Sequence, residues 1–244
     1  MTSSKGRNWV ALALLALLGL AVYGIKGVVD SRGVVSVRVS GDLVRVDRDA
    51  LRRVVGPHLH SGLLEVDVEA VRAAASELPW VRAVTVRREW PDRIDLRIVE
   101  RTPVATWNEQ QLLEADATLF SPPETDDLQR GLASLSGPQG RHSEVLMRYK
   151  QLALLFGTFG GGVDRVSLAP RGAWDLGFAN GMTMRLGPNP DFEQLRGYAR
   201  VLPELFGGRL PNVMSIDLRY ANGFAVRWRD DSLTASADTR SWLR

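Results

Sequence analysis

Three histidines and no cysteine leave the chain little with which to bind metal or attack a carbonyl. His58 and His60 have a spacing that could set two imidazoles on one metal ion. No third ligand adjoins them in sequence, so a solvated loop pair is the better reading. The glycines Gly157, Gly160, Gly161 and Gly162 follow an apolar helical pattern instead of opening one, and they lack the Gly-Lys-Ser/Thr of a phosphate loop. They read as a helix cap and turn. No Gly-x-Ser-x-Gly elbow occurs beside His142 or the other histidines, which argues against a hydrolase. The absence of cysteine removes disulfides, thiolate metal sites and thiol nucleophiles, and it suits an oxidising compartment such as the bacterial periplasm. Arg82, Arg87, Arg88, Arg93, Arg97 and Arg101 could line a basic strand face for nucleic acid, but acidic residues interleave with them and no aromatics are grouped there. With 31 Lys and Arg against 28 Asp and Glu, the formal charge is only +3, so a solvated mixed face is expected and nucleic acid is not. Catalytic residues, metal and cofactor are therefore all expected to be absent. What remains is the chemistry of recognition, in which aromatic rings and arginines anchor a protein partner.

The elements that must position such anchors begin with an apolar segment. From Trp9 to Ile25 there is no charge, and a helix of that length spans about 26 Å. Extension to Val29, with Lys26 snorkelling, reaches the roughly 30 Å of a bilayer core. Residues 9–29 are thus expected to form a transmembrane helix, touching membrane lipid, with 1–8 as a cytoplasmic tail carrying Lys5 and Arg7. Gly19-Leu20-Ala21 offers a signal-peptide cleavage pattern, but the apolar run continues past it, which favours an uncleaved anchor. A single-pass type II protein with its bulk in the periplasm follows.

Beyond the anchor, Val35 to Val39 alternates as a half-buried strand. Asp47 or Asp49 is placed to cap a helix over Ala50 to Val55, and a second helix is expected from near Asp67 to Leu78-Pro79. Two strands follow, containing Val84 and Val86 and then Ile94, Leu96 and Ile98, joined at Trp90-Pro91-Asp92. The order is β-α-α-β-β, a three-stranded sheet with helices on its apolar face. The second half is expected to be β-rich, with strands at Val104 to Trp107, Gln111 to Glu114, Val163 to Leu168, Trp174 to Phe178, Met182 to Leu186, Val213 to Tyr220 and Phe224 to Trp228. Helices are expected over Glu144 to Phe156 and Pro190 to Phe206, the latter with Leu195, Tyr198 and Leu202 at helical spacing. Residues 121–130 read as a loop, and the polar 230–244 as a disordered tail. Whether Trp80, Trp90, Trp107 and Trp174 are core or rim is left open.

Periodicity suggests a register for the last ribbon. A three-residue loop, Ala221-Asn222-Gly223, pairs Tyr220 with Phe224, Leu218 with Val226 and Ile216 with Trp228, uniting their apolar side chains with Met214 on one face. The same register sets Asp217 opposite Arg227 and asks for a positive φ at Gly223. No strand signal follows Trp228, so this strand is expected at a free edge able to accept a strand from a partner.

The run from Leu78 to Asp92 (LPWVRAVTVRREWPD), the run from Val99 to Asn108 (VERTPVATWN), and Ser215 to Tyr220 leading to Gly223 and Trp228 together resemble the bacterial FtsQ/DivIB cell-division family over nearly the whole chain. The resemblance implies an α+β protein: a POTRA domain at 35–101, then the family's β domain at 102–229. It implies an essential-type scaffold of the divisome at the septum of a Gram-negative inner membrane, with no catalytic activity and no small-molecule substrate. Such a scaffold binds FtsB, paired with FtsL, and links to FtsK, FtsW, FtsI and FtsN, helping to control septal wall assembly. By the same resemblance, Arg171, Arg219, Tyr220 and Trp228 match partner-contact residues, with Gly223, Phe224 and Val226 on the same hairpin, and Arg88 and Trp90 belong to a recruitment region of POTRA. Ala115-Asp116-Ala117 departs from the family, whose members often have a glycine at that turn. The alternative is a membrane-anchored periplasmic chaperone or enzyme, which would need a water-lined pocket with convergent polar groups.

Overall fold

The computed structural model describes residues 17–20, 36–59, 63, 65–123, 131–220 and 223–229. The expected cytoplasmic tail, most of the expected transmembrane helix, His60, the loop residues 124–130 and the tail 230–244 lie outside them. Residues 17–20 are helical and exposed, and among the described residues no helix is long and apolar enough to cross a membrane. The chain divides into two compact units between Arg101 and Thr102.

The first unit has strand β1 (Ser36–Ser40), helices α1 (Arg48–Val55) and α2 (Val68–Ser76), and strands β2 (Val81–Glu89) and β3 (Arg93–Glu100). Its sheet runs β1-β3-β2, with β1 parallel to β3 and β2 antiparallel to it. The expected β-α-α-β-β order is therefore present. Alternation dictates the core: Ile94, Leu96 and Ile98 point to one face and are buried, as are Leu51, Val55, Val71 and Ala75 of the helices. Asp47 caps α1 through Asp49 N–H (2.9 Å), and Asp67 caps α2 through the N–H groups of Glu69 and Ala70 (3.0 and 3.1 Å). A turn of 3-10 helix, Gly56–His58, follows α1. Between β1 and α1 the backbone N–H groups of Val44, Arg45 and Val46 all donate to Glu100 Oε1, at 3.0, 2.9 and 2.7 Å. Gly41 opens that segment at φ 130°, where any Cβ would collide with the Ile98 carbonyl.

The second unit is one nine-stranded sheet in the order β12-β11-β10-β9-β8-β7-β4-β5-β6. The strands are β4 (Pro103–Trp107), β5 (Gln111–Glu114), β6 (Leu119–Phe120), β7 (Ala133–Ser136), β8 (Val163–Leu168), β9 (Trp174–Phe178), β10 (Thr183–Gly187), β11 (Val213–Asp217) and β12 (Ala225–Trp228). Helix α3 (His142–Phe156) carries the chain between the parallel strands β7 and β8, and α4 (Phe192–Phe206) does so between β10 and β11. One apolar cluster joins both helices to the sheet, including Val145, Leu152, Phe156, Phe178, Leu195, Leu202 and Ile216. Trp107 and Trp174 are buried here and Trp80 in the first unit, whereas Trp90 is exposed. Strands β6 and β7 had no sequence expectation. Each is short, and their pairing partners lie far along the chain or across a tight turn. That turn holds Ala117 at φ 69°, tied by Ala117 N–H to Glu114 O (3.0 Å) and Thr118 N–H to Asp116 Oδ1 (3.0 Å).

Candidate functional site

Helix α4 provides the bed on which the terminal ribbon lies. Leu195, Tyr198, Leu202 and Phe206 recur at helical spacing and make its inward stripe. Phe206 meets the Phe224 ring at 6.3 Å and the Trp228 ring at 6.0 Å, both edge-to-face. Tyr198 meets Phe224 edge-on at 5.7 Å and donates its hydroxyl to the Gly223 carbonyl at 3.2 Å. The Arg209 guanidinium lies 6.0 Å from the Trp228 ring centre. Each aromatic pair of this kind contributes about 0.5–1.5 kcal/mol beyond the area it buries. The Arg229 side chain fastens the far end of β12, with Nη2 on Asn180 O (2.7 Å) and Nε on Val213 O (3.3 Å).

The ribbon's register differs from the expected one by two residues. Ile216 faces Val226, Asp217 faces Ala225, Ser215 faces Arg227 and Val213 faces Trp228, with a bulge between Val213 and Ser215. A two-residue shift leaves each side chain on its own face, so Ile216 and Val226 are still united. The pairings Tyr220 with Phe224, Leu218 with Val226 and Ile216 with Trp228 do not form, and Asp217 does not oppose Arg227. Past Asp217 the chain turns: the Asp217 carboxylate accepts the Arg219 N–H (3.1 Å), while Leu218 N–H completes the ladder to β10 at Arg185 O (2.9 Å). Strand β11 consequently ends at Asp217 and the connection to β12 is longer than a three-residue loop. The φ expected of Gly223 depends on its bond to Asn222, which lies outside the described residues. The bulge also buries Val213 and turns Met214 outward, to 45% exposure.

Strand β12 stands at the end of the sheet order and pairs only with β11 among the described residues. Its direction of hydrogen bonding follows from Arg229, whose N–H points inward to Asn212 O at 2.8 Å. Alternation along an antiparallel strand then turns Ala225 and Arg227 inward as well, and directs the N–H and C=O groups of Val226 and Trp228 outward. The side chains of Phe224, Val226 and Trp228 are half-buried against the core beneath.

Sheet topology gathers the expected contact residues at one end of this edge. Trp174 is opposite Gly187, Arg185 opposite Asp217, and Asp217 opposite Ala225. The β8–β9 turn, the end of β10, the end of β11 and the start of β12 therefore lie side by side. Arg171 is exposed in that turn, which closes through Gly172 at φ 86°. Arg219, Tyr220 (57% exposed), Gly223 and Phe224 share its end of the sheet, whereas Trp228 is at the other end of β12. Arg219 is gripped by Asp217, with Nε at 2.8 and 3.1 Å from the two carboxylate oxygens and Nη2 at 2.5 Å. The Arg219 side-chain hydrogen bond, above all, holds the Asp217 carboxyl below its usual range, and the same bond raises the Arg219 guanidinium. Sequence reasoning missed Asp217, Tyr198, Phe206, Arg209 and Arg229 as parts of this arrangement. The stripe Leu195, Tyr198, Leu202 was visible as helical spacing, but nothing in it says what it faces.

In the first unit, Arg88 and Trp90 diverge. Arg88 donates to Val66 O at 2.7 Å and so secures the chain just before α2, while Trp90 is 67% exposed at the tip of the β2–β3 hairpin. A cleft of about 340 Å³ between β1 and α1 is lined by Val37, Val39, Leu51, Val55, Leu59 and Leu96, with Arg48 and Arg52 as its charged residues. In the second unit a groove of about 550 Å³ is lined by Gln151, Leu154, Leu155, Phe192 and Arg196. Among the described residues no three His, Asp or Glu side chains are grouped to hold a metal ion.

Comparison with known proteins agrees with this architecture in both units. A family model described as POTRA domain, FtsQ-type, matches residues 33–101, and one described as cell division protein FtsQ/DivIB, C-terminal, matches residues 105–219. The cell division protein FtsQ of Xanthomonas campestris is 35% identical, over 95% of this chain and 82% of its own length. The chain belongs to the FtsQ/DivIB family. Two further FtsQ proteins, from Coxiella burnetii and Neisseria gonorrhoeae, are 32% and 30% identical over 80% and 93% of this chain, and over 79% and 92% of their own lengths. The FtsQ-type POTRA match coincides with the β-α-α-β-β unit. The C-terminal match stops at Arg219, one strand short of β12.

Proposed function

We propose that this chain is a scaffold of the division septum whose strand β12 receives a β-strand from FtsB, which arrives paired with FtsL. The observation that carries the reading is the position of β12: last in a nine-stranded sheet, hydrogen-bonded on one side only among the described residues, and backed by rings that keep it flat against α4. An added strand makes four to six backbone bonds at about 0.5–1.5 kcal/mol net each, against several kcal/mol lost on association. Exposed anchors must therefore supply the selectivity, and Arg171, Arg219 and Tyr220 beside the strand's start are the residue types that do so. Gly223, Phe224, Val226 and Trp228 supply the edge itself. The same reading extends to links with FtsK, FtsW, FtsI and FtsN, for which the exposed Trp90, and more weakly the tethered Arg88, would serve as the recruitment surface. Residues 9–29 anchor the protein in the inner membrane, 1–8 stay in the cytoplasm, and the two units occupy the periplasm as POTRA (35–101) and β (102–229) domains, followed by the tail 230–244.

On this reading the protein acts by holding partners and catalyses no reaction of its own. Capture of purified FtsB–FtsL by the full-length protein in detergent tests the site. Arg171→Glu and Tyr220→Ala, both at exposed positions, abolish capture while leaving the thermal midpoint in place. Undiminished capture by both variants rejects the assignment. Trp228→Ala is a poorer test, because Trp228 packs on Phe206 and its loss also loosens the ribbon.

A further inference from the structure

Arg219 is half exposed, yet its side chain is not free to choose its direction. Both oxygens of Asp217 hold its Nε, and Oδ2 also holds Nη2; Oδ1 additionally takes the Arg219 backbone N–H. The Asp217 side chain is itself largely buried, at 17% exposure, and stands opposite Arg185 in the parallel register of β10 and β11. On its other flank the aliphatic stem of Arg219 lies over Gly187. A Cβ at Gly187 would come within 3.2 Å of Arg219 Cγ, tighter than ordinary contact, and would touch Cδ at 3.7 Å. Gly187 has φ 81°, so a side chain there is strained as well as crowded. The flexible arginine, not the backbone, is what would give way.

We infer that Gly187 and Asp217 are positioning residues: they preset the Arg219 guanidinium so that its Nη1 edge is offered to an oxygen acceptor on the incoming strand, a carboxylate or a backbone carbonyl. Asp217 occupies the Nε–Nη2 edge of the planar fork, and Nη1 is the group it leaves over. A long side chain that is already immobilised loses less rotamer freedom when a partner binds, so the contact is stronger than the same arginine would make if it moved freely. This inference rests on the reading that Arg219 touches the partner, and neither Gly187 nor Asp217 need touch it.

A double-mutant cycle on the full-length protein, with purified FtsB–FtsL as the probe, separates the two. Gly187→Ala and Asp217→Asn are each expected to weaken binding about tenfold when Arg219 is present, and less than about twofold in the Arg219→Ala background. Gly140→Ala, at another left-handed glycine with open space around it, is the control for backbone strain and leaves affinity unchanged. If Arg219→Ala weakens binding but Gly187→Ala and Asp217→Asn do not, positioning is wrong and the contact stands. Equal losses with and without Arg219 also overturn it, since both residues would then act through the fold. Full affinity in Arg219→Ala removes the contact and the positioning together.

Discussion

Replacing Glu100 should release the segment between β1 and α1 without touching the rest of the first unit. One carboxylate oxygen accepts three successive backbone N–H groups, from Val44, Arg45 and Val46. Hydrogen bonds to a charged group contribute about 1.5–3 kcal/mol each when isolated. The three share one oxygen and the first two are solvent-exposed, so water replaces part of the loss, and Glu100→Ala is expected to cost about 2–4 kcal/mol in total. Glu100→Gln keeps an oxygen acceptor and forfeits the charge, which should halve the loss. Val46 is buried, so the segment would also lose its apolar anchor. Amide hydrogen exchange reads this residue by residue: in Glu100→Ala the amides of Val44, Arg45 and Val46 lose protection by at least tenfold for every about 1.4 kcal/mol, while that of Leu96 in the centre of the sheet changes far less. Unchanged exchange at the three amides, or a glutamine variant as damaged as the alanine one, would refute the reasoning.

Two other perturbations follow from the second unit. Ala117→Gly should stabilise the protein by about 0.5–1 kcal/mol, because Ala117 sits at φ 69° where glycine carries no steric penalty; a lowered denaturation midpoint would contradict this. Arg148 lies between the Trp174 and Phe192 rings, 5.0 and 4.7 Å from their centres, and burial lowers its pKa while Glu144 raises it. Arg148→Met, which retains bulk but no charge, should cost about 1–2 kcal/mol in denaturant unfolding, and an unaltered midpoint would show that the stacking contributes nothing.

How far the sequence could be read depended on how local each cause was. Gln111–Glu114, Val163–Leu168 and Trp174–Phe178 were expected residue for residue, because alternation and the turns around them are local signals. Helix α1 began where the Asp47 side chain allowed it to. Strand β7 escaped notice because its four residues pair with β4 and β8, which are remote in sequence, and supply too short a pattern alone. The ribbon's register failed for a related reason. The alternation of Ile216, Leu218 and Tyr220 with Phe224, Val226 and Trp228 fixes faces and leaves shifts of two open, and periodicity does not show the turn that the Asp217 carboxylate makes with the Arg219 N–H. Arg171, Arg219 and Tyr220 were expected as contact residues from the family resemblance, residue by residue. That β10 and α4 bring the turn carrying Arg171 beside them is a property of the sheet order, which periodicity does not encode.

Strand addition at β12 can be read directly from the outward backbone groups. Amide exchange of the full-length protein is to be compared with and without FtsB–FtsL. In the free protein Ala225 and Arg227 are protected by β11, while Val226 and Trp228 exchange quickly. On complex formation Val226 and Trp228 should become at least about tenfold slower, as their N–H groups enter a new ladder. A complex that forms with full affinity and leaves those two amides as fast as before would contradict the account.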